Sequence, residues 1–348
     1  MSPLILPLVM LSLLMGTSIT LTSSNWLLAW MGIEINTLAI LPLMIHTRHP
    51  RAAEATTKYF IVQAAAAAMI LFSAVIKAWI MGEWIINPFS EPISTSLLIL
   101  ALALKLGLAP THSWLPDVMQ GLNLTTGMIL STWQKIAPLA LMLQASKPEA
   151  YLMMTLGIIS VLVGGIGGLS QTQTRKIMAY SSIVHLGWMA IALPVAPHLT
   201  LLALTLYIIT TYSMFSLLTL SKGLTINSLA ISWTKNNTLL ISIPLILFSL
   251  GGLPPTLGFA PKWFILMELT SHNMTIVALM IALASLLSLH FYVRLCYTLA
   301  LTTSPSTLPG SAAWRLYPAS KDIFMASSVT LIMMFLPASP LILALFTF

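Results

Sequence analysis

Four ionisable side chains stand deep inside long apolar stretches of this sequence: Glu34, Lys105, Lys135 and Lys262. A charge at the centre of a bilayer costs between about 3 and more than 10 kcal/mol, depending on how well it can reach water. The first three lie about nine to eleven residues into their stretches, which at 1.5 Å per residue is roughly 14–17 Å deep. Groups that can gain and lose a proton at one depth could pass it between helices. We therefore predict a row of proton-carrying groups near a membrane midplane.

Two further charges, Lys77 and Arg294, lie nearer to the ends of their apolar stretches. Lys77 is about one helical turn from the end and Arg294 about two. Long basic side chains can extend along an apolar surface and place their charge at the interface. We therefore predict structural roles for these two residues.

Lys105 stands shortly before a helix-breaking residue, Pro110. Proline removes a backbone hydrogen bond and clashes with the preceding turn, so a helix must bend or end there. A broken helix within a membrane is tolerated only where protein or water satisfies the freed backbone groups. Burying a charge and breaking a helix in the membrane both cost free energy. Their occurrence side by side favours a functional site over ordinary packing.

A second break precedes Lys262. The segments GLAPT at 107–111 and GLPPT at 252–256 share the pattern Gly-Leu-x-Pro-Thr at an offset of 145 residues. They fall in the fourth and ninth predicted spans. Because five spans, an odd number, separate the two, the equivalent helices cross the membrane in opposite directions. Inverted repeats with interrupted helices are typical of transport proteins whose pathway lies near the midplane.

Two histidines, His112 and His185, are candidate proton relays because histidine changes its protonation near physiological pH. His112 follows the first break, where it could equally bind freed carbonyl groups. His185 shares a polar stretch with Tyr180, Ser181 and Ser182. The sequence leaves a relay role and a structural role open for both histidines.

The composition indicates a membrane protein, because 58% of the 348 residues are hydrophobic and only 7% are charged. Soluble domains carry about 25% charged residues. The single cysteine, Cys296, excludes disulfides and iron–sulfur clusters held by cysteines of this chain alone. Metal-ligand spacings, nucleophile elbows and nucleic-acid-binding basic clusters are absent from the sequence. We therefore predict no metal, cofactor or nucleic acid bound by this chain.

Repeated apolar runs of about 20 residues predict an all-α polytopic membrane protein, with no alternating segments of the kind that form β-barrels. Because the connections are short, residues 1–348 are predicted to form a single membrane domain, with interrupted helices near 95–121 and 238–268. The eleven predicted spans are 3–22, 25–45, 57–81, 95–121, 124–145, 150–170, 175–194, 199–221, 238–268, 274–300 and 322–346.

The loop charges predict how these spans are oriented. Cytoplasmic-type loops of membrane proteins carry an excess of Lys and Arg. Opposite loops hold one basic residue, Lys147, beside Glu83, Glu91, Glu149 and Glu268. The N terminus is therefore predicted on the positive side and the C terminus on the other. The basic residues in loops on the N-terminal side are Arg48, Arg51, Lys58, Arg175, Lys176, Lys222, Lys235, Arg315 and Lys321.

Five segments resemble one protein family over nearly the whole chain. They are WLLAWMGIEIN at 26–36, AAEATTKYF at 52–60, LKLGLAPTHSW at 104–114, QTQTRKIMAYSS at 171–182 and GGLPPTLGFAPKW at 251–263. The pattern is similar to the chain 2 family of mitochondrial NADH–ubiquinone oxidoreductase. These motifs together are highly specific.

The resemblance implies an antiporter-like core subunit in the proton-pumping membrane arm of respiratory complex I, with the N terminus on the matrix side of the mitochondrial inner membrane. It implies other membrane-arm subunits as partners, including further antiporter-like ones, as well as bound lipids. NADH, FMN, iron–sulfur clusters and ubiquinone would belong to partner subunits. In the family a glutamate pairs with the lysine before the first break, and a lysine on the next helix links to a group beside the second. The matching positions are Glu34, Lys105, Lys135 and Lys262.

Two other functions compete with a pump subunit. A freestanding cation/proton antiporter would share the fold and the buried charges. A passive scaffold of the membrane arm would carry the same spans but would tolerate neutral substitutions of those charges. Co-purification with a redox enzyme distinguishes the first alternative, and substitution of the buried charges distinguishes the second.

Overall fold

The computed structural model describes residues 5–46, 49–86, 92–145, 150–230, 237–254, 256–301, 326–327, 329–330 and 332. Regular secondary structure within these residues is helical, and only two isolated antiparallel bridges occur. The all-α prediction is thus confirmed for the described part of the chain. The helices are α1 (Ile5–Thr22), α2 (Trp26–Ile45), α3 (Pro50–Met81), α4 (Pro92–Leu106), α5 (Trp114–Gly121), α6 (Leu124–Thr132), α7 (Ile136–Ala145), α8 (Ala150–Leu169), α9 (Thr174–Ala192), α10 (Pro197–Ser221), α11 (Ile226–Ala230), α12 (Asn237–Gly251), α13 (Phe259–Ser271) and α14 (Thr275–Leu301).

Within the described residues, six helices are long and apolar enough to cross a membrane, namely α1, α2, α3, α8, α10 and α14. Two spans predicted as interrupted are divided into shorter helices, α4 with α5 and α12 with α13. The span 124–145, predicted as continuous, is divided into α6 and α7. Helix α9 lies at the predicted span 175–194. Most of the predicted span 322–346 lies outside the described residues. The helices follow the predicted segments, and the number of membrane crossings stays a prediction.

The first interruption separates α4 from α5 at the predicted position. Helix α4 ends at Leu106, and Gly107 follows in the left-handed region with a φ of 82°. The N–H groups of Gly107 and Leu108 both donate to the Ala103 carbonyl at 2.9 Å. A left-handed glycine whose neighbours donate back to the last turn is a common way to end a helix.

The second interruption, between α12 and α13, has the same local backbone pattern. Gly252 is left-handed with a φ of 77°, and its N–H donates to the Ser249 carbonyl at 3.0 Å. The N–H of Leu253 donates to the Phe248 carbonyl at 3.1 Å, just as Leu108 donates to the carbonyl five residues before it. The two Gly-Leu pairs therefore end their helices alike, at the offset found in the sequence.

A third irregularity was not predicted. A 3₁₀ turn, Trp133–Lys135, divides α6 from α7. Pro138 has no N–H to donate to the carbonyl of Gln134, and its ring crowds that carbonyl, so regular α-helical bonding fails there. Pro138 is the signal that could have indicated the turn. The turn matters because it carries Lys135.

The chain groups into two compact units, Met1–Ser160 and Val161–Phe348. In the first unit, α1 and α2 approach closely at Gly16 and Gly32, where an added Cβ on either residue would lie 2.9 Å from the carbonyl oxygen of the other. In the second, a Cβ on Gly164 of α8 would lie 2.8 Å from a methyl of α9. Small residues that let helices approach are typical of membrane helix packing.

We expect Gly107→Ala to destabilise the protein more than Gly82→Ala. Both glycines are left-handed, with φ of 82° and 73°, so alanine at either position is strained by roughly 1–2 kcal/mol. A Cβ at Gly107 would also lie 2.9 Å from the Leu115 side chain, whereas one at Gly82 would meet nothing within 4 Å. Thermal unfolding of the detergent-solubilised protein measures the difference. Equal losses would contradict a close α4–α5 contact.

Candidate functional site

The first unit contains a small polar cavity beside Lys105, which we call the Lys105 cavity. Its volume of about 20 Å³ gives room for about one water molecule. Lys105 and Lys135 both line it, so two of the predicted proton carriers share one cavity. The other polar or aromatic residues that line it are Asn36, Thr37, Tyr59, Gln63, Trp114 and Gln134.

Lys105 lies in the last turn of α4, and only 6% of its surface is exposed. Its Nζ forms no hydrogen bond with any residue that the structure describes. The neighbouring carbonyl groups do have donors. Trp114 Nε1 donates to the Leu104 carbonyl at 3.1 Å, and Gln63 Nε2 donates to the Lys105 carbonyl at 3.4 Å. The negative end of the α4 dipole thus favours a cation at this position without binding it directly.

Glu34 stands on α2 next to the residues that line the Lys105 cavity, but it does not line the cavity itself. The Thr37 hydroxyl lies 2.9 Å from the Glu34 backbone carbonyl and 3.1 Å from carboxylate Oε2, and it can donate to either. Among the described residues no ion pair within 4 Å joins Glu34 to Lys105. The Glu34 carboxylate and the Lys105 amine are therefore farther apart than an ion pair.

Lys135 is buried in the 3₁₀ turn, and its neighbour Gln134 ties this turn to α2. Gln134 Nε2 lies 3.2 Å from both the backbone carbonyl and the side-chain oxygen of Asn36. Asn36 is two residues from Glu34 along α2. The elements that carry Glu34 and Lys135 are therefore held together by a polar contact.

Lys262 lies in the second unit, where it closes the end of the interrupted helix. Its Nζ donates to the carbonyl of Gly251, the last residue of α12, at 2.7 Å, and lies 6.0 Å from the centre of the Trp188 ring. A Cβ at Gly252 would come within 2.8 Å of Nζ, so the glycine leaves room for the lysine. A helix C-terminus and an aromatic face both stabilise a cation.

His185 and Lys262 line one cavity of about 20 Å³, which we call the Lys262 cavity. The ring of His185 lies against that of Tyr207, with centroids 5.5 Å apart. Thr210 and Ser249 add two hydroxyl groups to the lining. The structure therefore brings a predicted relay histidine beside a predicted proton carrier.

His112 is placed differently. It lies in the turn between α4 and α5, where its Nδ1 is 3.2 Å from the Pro110 carbonyl, and it does not line the Lys105 cavity. Lys77 and Arg294, for which structural roles are predicted, each contact a backbone carbonyl. Lys77 Nζ donates to Ile85 at 2.9 Å, and Arg294 donates to Leu169, the last residue of α8, at 2.5 Å.

Sequence reasoning missed the uncharged polar residues around the lysines. Asn36, Gln63 and Gln134 line the Lys105 cavity, and Tyr207 lines the Lys262 cavity. Uncharged amides and hydroxyls were overlooked because their burial costs less free energy than that of a charge. The amide side chains within apolar stretches could have indicated these positions, since a buried amide needs hydrogen-bond partners. Within the described ranges, no three His, Cys, Asp or Glu residues come together as metal ligands could.

The chain is similar to known proteins over its full length. Residues 23–288 match the family described as "NADH:quinone oxidoreductase/Mrp antiporter, TM", and residues 289–343 match "NADH dehydrogenase subunit 2 C-terminus". NADH-ubiquinone oxidoreductase chain 2 from Salmo salar is 55% identical over 100% of both chains, and that from Tetraodon nigroviridis is 54% identical over 99% of both. A chain of respiratory complex I from Thermus thermophilus, solved with bound aureothin, has a TM-score of 0.82 at 26% identity. The match covers 95% of this chain and 79% of that chain.

We expect Lys105→Met and Lys262→Met to differ in their effect on stability. Methionine at Lys105 removes a buried amine without a hydrogen-bond partner, so stability should be unchanged or raised. Methionine at Lys262 leaves the Gly251 carbonyl without its donor, which costs about 1–3 kcal/mol. Thermal unfolding of the two variants measures the difference. A larger loss for Lys105→Met would contradict the described environment of Lys105.

Proposed function

Because this chain belongs to the family of NADH-ubiquinone oxidoreductase chain 2, we propose that it is a proton-translocating membrane subunit of respiratory complex I in the mitochondrial inner membrane. It would work beside other membrane-arm subunits, including further antiporter-like ones. We infer that NADH, FMN, iron–sulfur clusters and ubiquinone are bound by those partners and that this chain contributes proton transfer.

The observation that carries the proton-transfer role is the environment of Lys105. Its buried amine has no hydrogen-bond partner among the described residues, and it lines a cavity with room for a water molecule. Packing alone does not explain such an expensive feature. An amine in this position can take up a proton when it is neutral and release one when it is charged.

Glu34 and Lys135 are proposed to control the charge on Lys105. A carboxylate nearby favours the charged lysine, and its withdrawal favours release of the proton. The contact between Glu34 and Thr37 supports a withdrawn state of this kind. A proton on Lys135, beside the same cavity, would also repel one on Lys105. Because the groups interact, they titrate together rather than one by one.

Lys262 is proposed to continue the path in the second unit, with His185 as its relay. The two residues share a cavity, which supports direct or water-assisted transfer between them. His112 is a further candidate relay, at the first break. Together with Glu34, Lys105 and Lys135, these residues would form a row near the midplane.

The proposed topology has eleven spans in one membrane domain, arranged as an inverted repeat with the N terminus on the matrix side. The helices at the predicted positions support this arrangement, as does the shared Gly-Leu geometry of the two breaks. The excess of basic residues in loops on the N-terminal side supports the orientation. Bound lipids are expected on the apolar surface.

Energy for the pump must come from the partners. Moving one charge against 100 mV costs about 2.3 kcal/mol. We infer that redox chemistry on other subunits supplies this energy through contacts in the membrane plane. A freestanding antiporter would need no such partners, and the names of the relatives disfavour it because they refer to an oxidoreductase. A passive scaffold is the alternative that substitution of the lysines tests.

We expect Lys105→Met to reduce proton pumping at least about tenfold in the assembled complex, because proton transfer by a positioned side chain contributes about 10²-fold or more. The measurement is NADH-driven acidification of vesicles that contain the purified complex, normalised to the amount of assembled complex. Lys77→Met is the matched control, since Lys77 is equally buried but bonded to the Ile85 carbonyl.

Normal pumping in Lys77→Met together with a strong loss in Lys105→Met would support the pump. If both variants pumped at the normal rate, the buried lysine would be a structural charge. The chain would then be better described as a scaffold of the membrane arm.

A further inference from the structure

The end of α4 binds a side-chain donor that the proposed path does not yet use. In a continuous helix the N–H of Leu108 would donate to the Leu104 carbonyl, but the left-handed turn at Gly107 directs it to Ala103 at 2.9 Å instead. Trp114 Nε1 on α5 donates to the Leu104 carbonyl at 3.1 Å. The backbone N–H of Gly107, shared with Ala103, adds a longer contact at 3.2 Å. Trp114 is thus the side-chain donor to this carbonyl.

The indole of Trp114 is held firmly in this position. Only 8% of its surface is exposed, and its ring meets that of Tyr59 on α3 edge to face, with centroids 5.8 Å apart. Gln63, also on α3, donates to the Lys105 carbonyl at 3.4 Å, a longer and therefore weaker bond. Two side chains thus donate to carbonyls at the helix end, while the Lys105 amine beside them has no partner among the described residues.

The second interruption has the opposite arrangement. At the offset of 145 residues that relates the two Gly-Leu pairs, the counterpart of Trp114 is Phe259, whose ring carries no N–H. There the lysine itself donates to the helix end, since Lys262 Nζ lies 2.7 Å from the Gly251 carbonyl. An aromatic donor and a free lysine therefore occur at one break, and an aromatic ring without a donor and a bound lysine at the other.

We propose that Trp114 is a positioning residue for proton exchange, and that by occupying the Leu104 carbonyl it prevents the helix end from holding Lys105 as a permanent cation. The proposal rests on the proposed role of Lys105. Carbonyl groups without a donor give a helix end its negative potential, which stabilises a cation in the last turn. The indole N–H compensates part of that potential. Gln63 acts in the same sense, more weakly, on the next carbonyl.

The charges around Lys105 set the level on which this compensation acts, and substitution of Trp114 changes none of them. Helix α7, which also packs against α4, contains no titratable residue. The titratable or charged groups on the other neighbouring elements are Glu34 on α2, Tyr59 on α3, Lys135 in the 3₁₀ turn, His112 in the turn before α5, and Asp117 on α5, which lies 3.5 Å from Lys58 Nζ.

The test replaces Trp114 by phenylalanine, which keeps an aromatic ring against Tyr59 and removes the N–H. The charged form of Lys105 should then be more stable, so that the lysine binds its proton at higher pH. We expect the pH dependence of protons pumped per NADH oxidised to move to higher pH by roughly half a unit to one unit, the size of a helix-end interaction with a cation. A packing defect would lower the ratio at every pH without this shift.

The measurement uses vesicles that contain the assembled complex, with the same starting pH on both faces. Trp30→Phe is the matched control, because Trp30 Nε1 also donates to a helix carbonyl, that of Ala67, at 3.1 Å but does not line the Lys105 cavity. That variant should keep the normal pH profile. An unshifted profile in Trp114→Phe, or an equal shift in Trp30→Phe, would overturn the proposal.

Lys105→Met separates this proposal from the function on which it rests. A normal ratio in Lys105→Met would refute the role of Lys105 itself. A low ratio in Lys105→Met together with an unshifted Trp114→Phe would overturn only the role of the tryptophan. If Trp114→Phe does not assemble, Gln63→Leu removes the other donor, and we expect a smaller shift to higher pH. An unchanged profile in Gln63→Leu would then overturn the proposal.

Discussion

A lysine amine buried among apolar helices is the constraint on which this structure depends. A helix end can stabilise a cation through the negative end of the helix dipole and through carbonyl groups that have no partner within the helix. Both interrupted helices provide such an end. Lys105 occupies the last turn of α4, and Lys262 binds the last carbonyl of α12. The helix breaks and the left-handed glycines therefore place a helix end at each of these two lysines.

The two lysine sites differ in a way that suits proton transfer. Lys262 is held by a direct hydrogen bond and an aromatic face, whereas the Lys105 amine has no hydrogen-bond partner among the described residues and lies in the field of its helix and of Glu34. A lysine with a weakly compensated charge responds most to a neighbour that moves. Glu34, held by Thr37 one turn along its own helix, is such a neighbour in the proposed mechanism. Partner subunits would act by moving α2 or its charge.

The cost of burying charge was enough to find the four candidate residues and both helix breaks from the sequence. Three features could not be found in this way. The 3₁₀ turn at Lys135 depends on Pro138, whose effect on the preceding carbonyl was overlooked. Glu34 lies off the cavity and His112 turns towards Pro110, because side-chain direction is set by packing around each helix and not by depth. Tyr207 was passed over because a hydroxyl costs little to bury.

The two lysine sites are proposed to serve one proton path, and a double substitution tests whether they do. Proton pumping would be measured in the assembled complex with Lys105→Met, with Lys262→Met and with both substitutions together. If both lysines serve a single path, the loss of either one already interrupts proton transfer. We therefore predict that the double variant pumps no less than the more impaired single variant. A double variant in which the two losses multiply would show that the two sites act independently and would contradict a shared path.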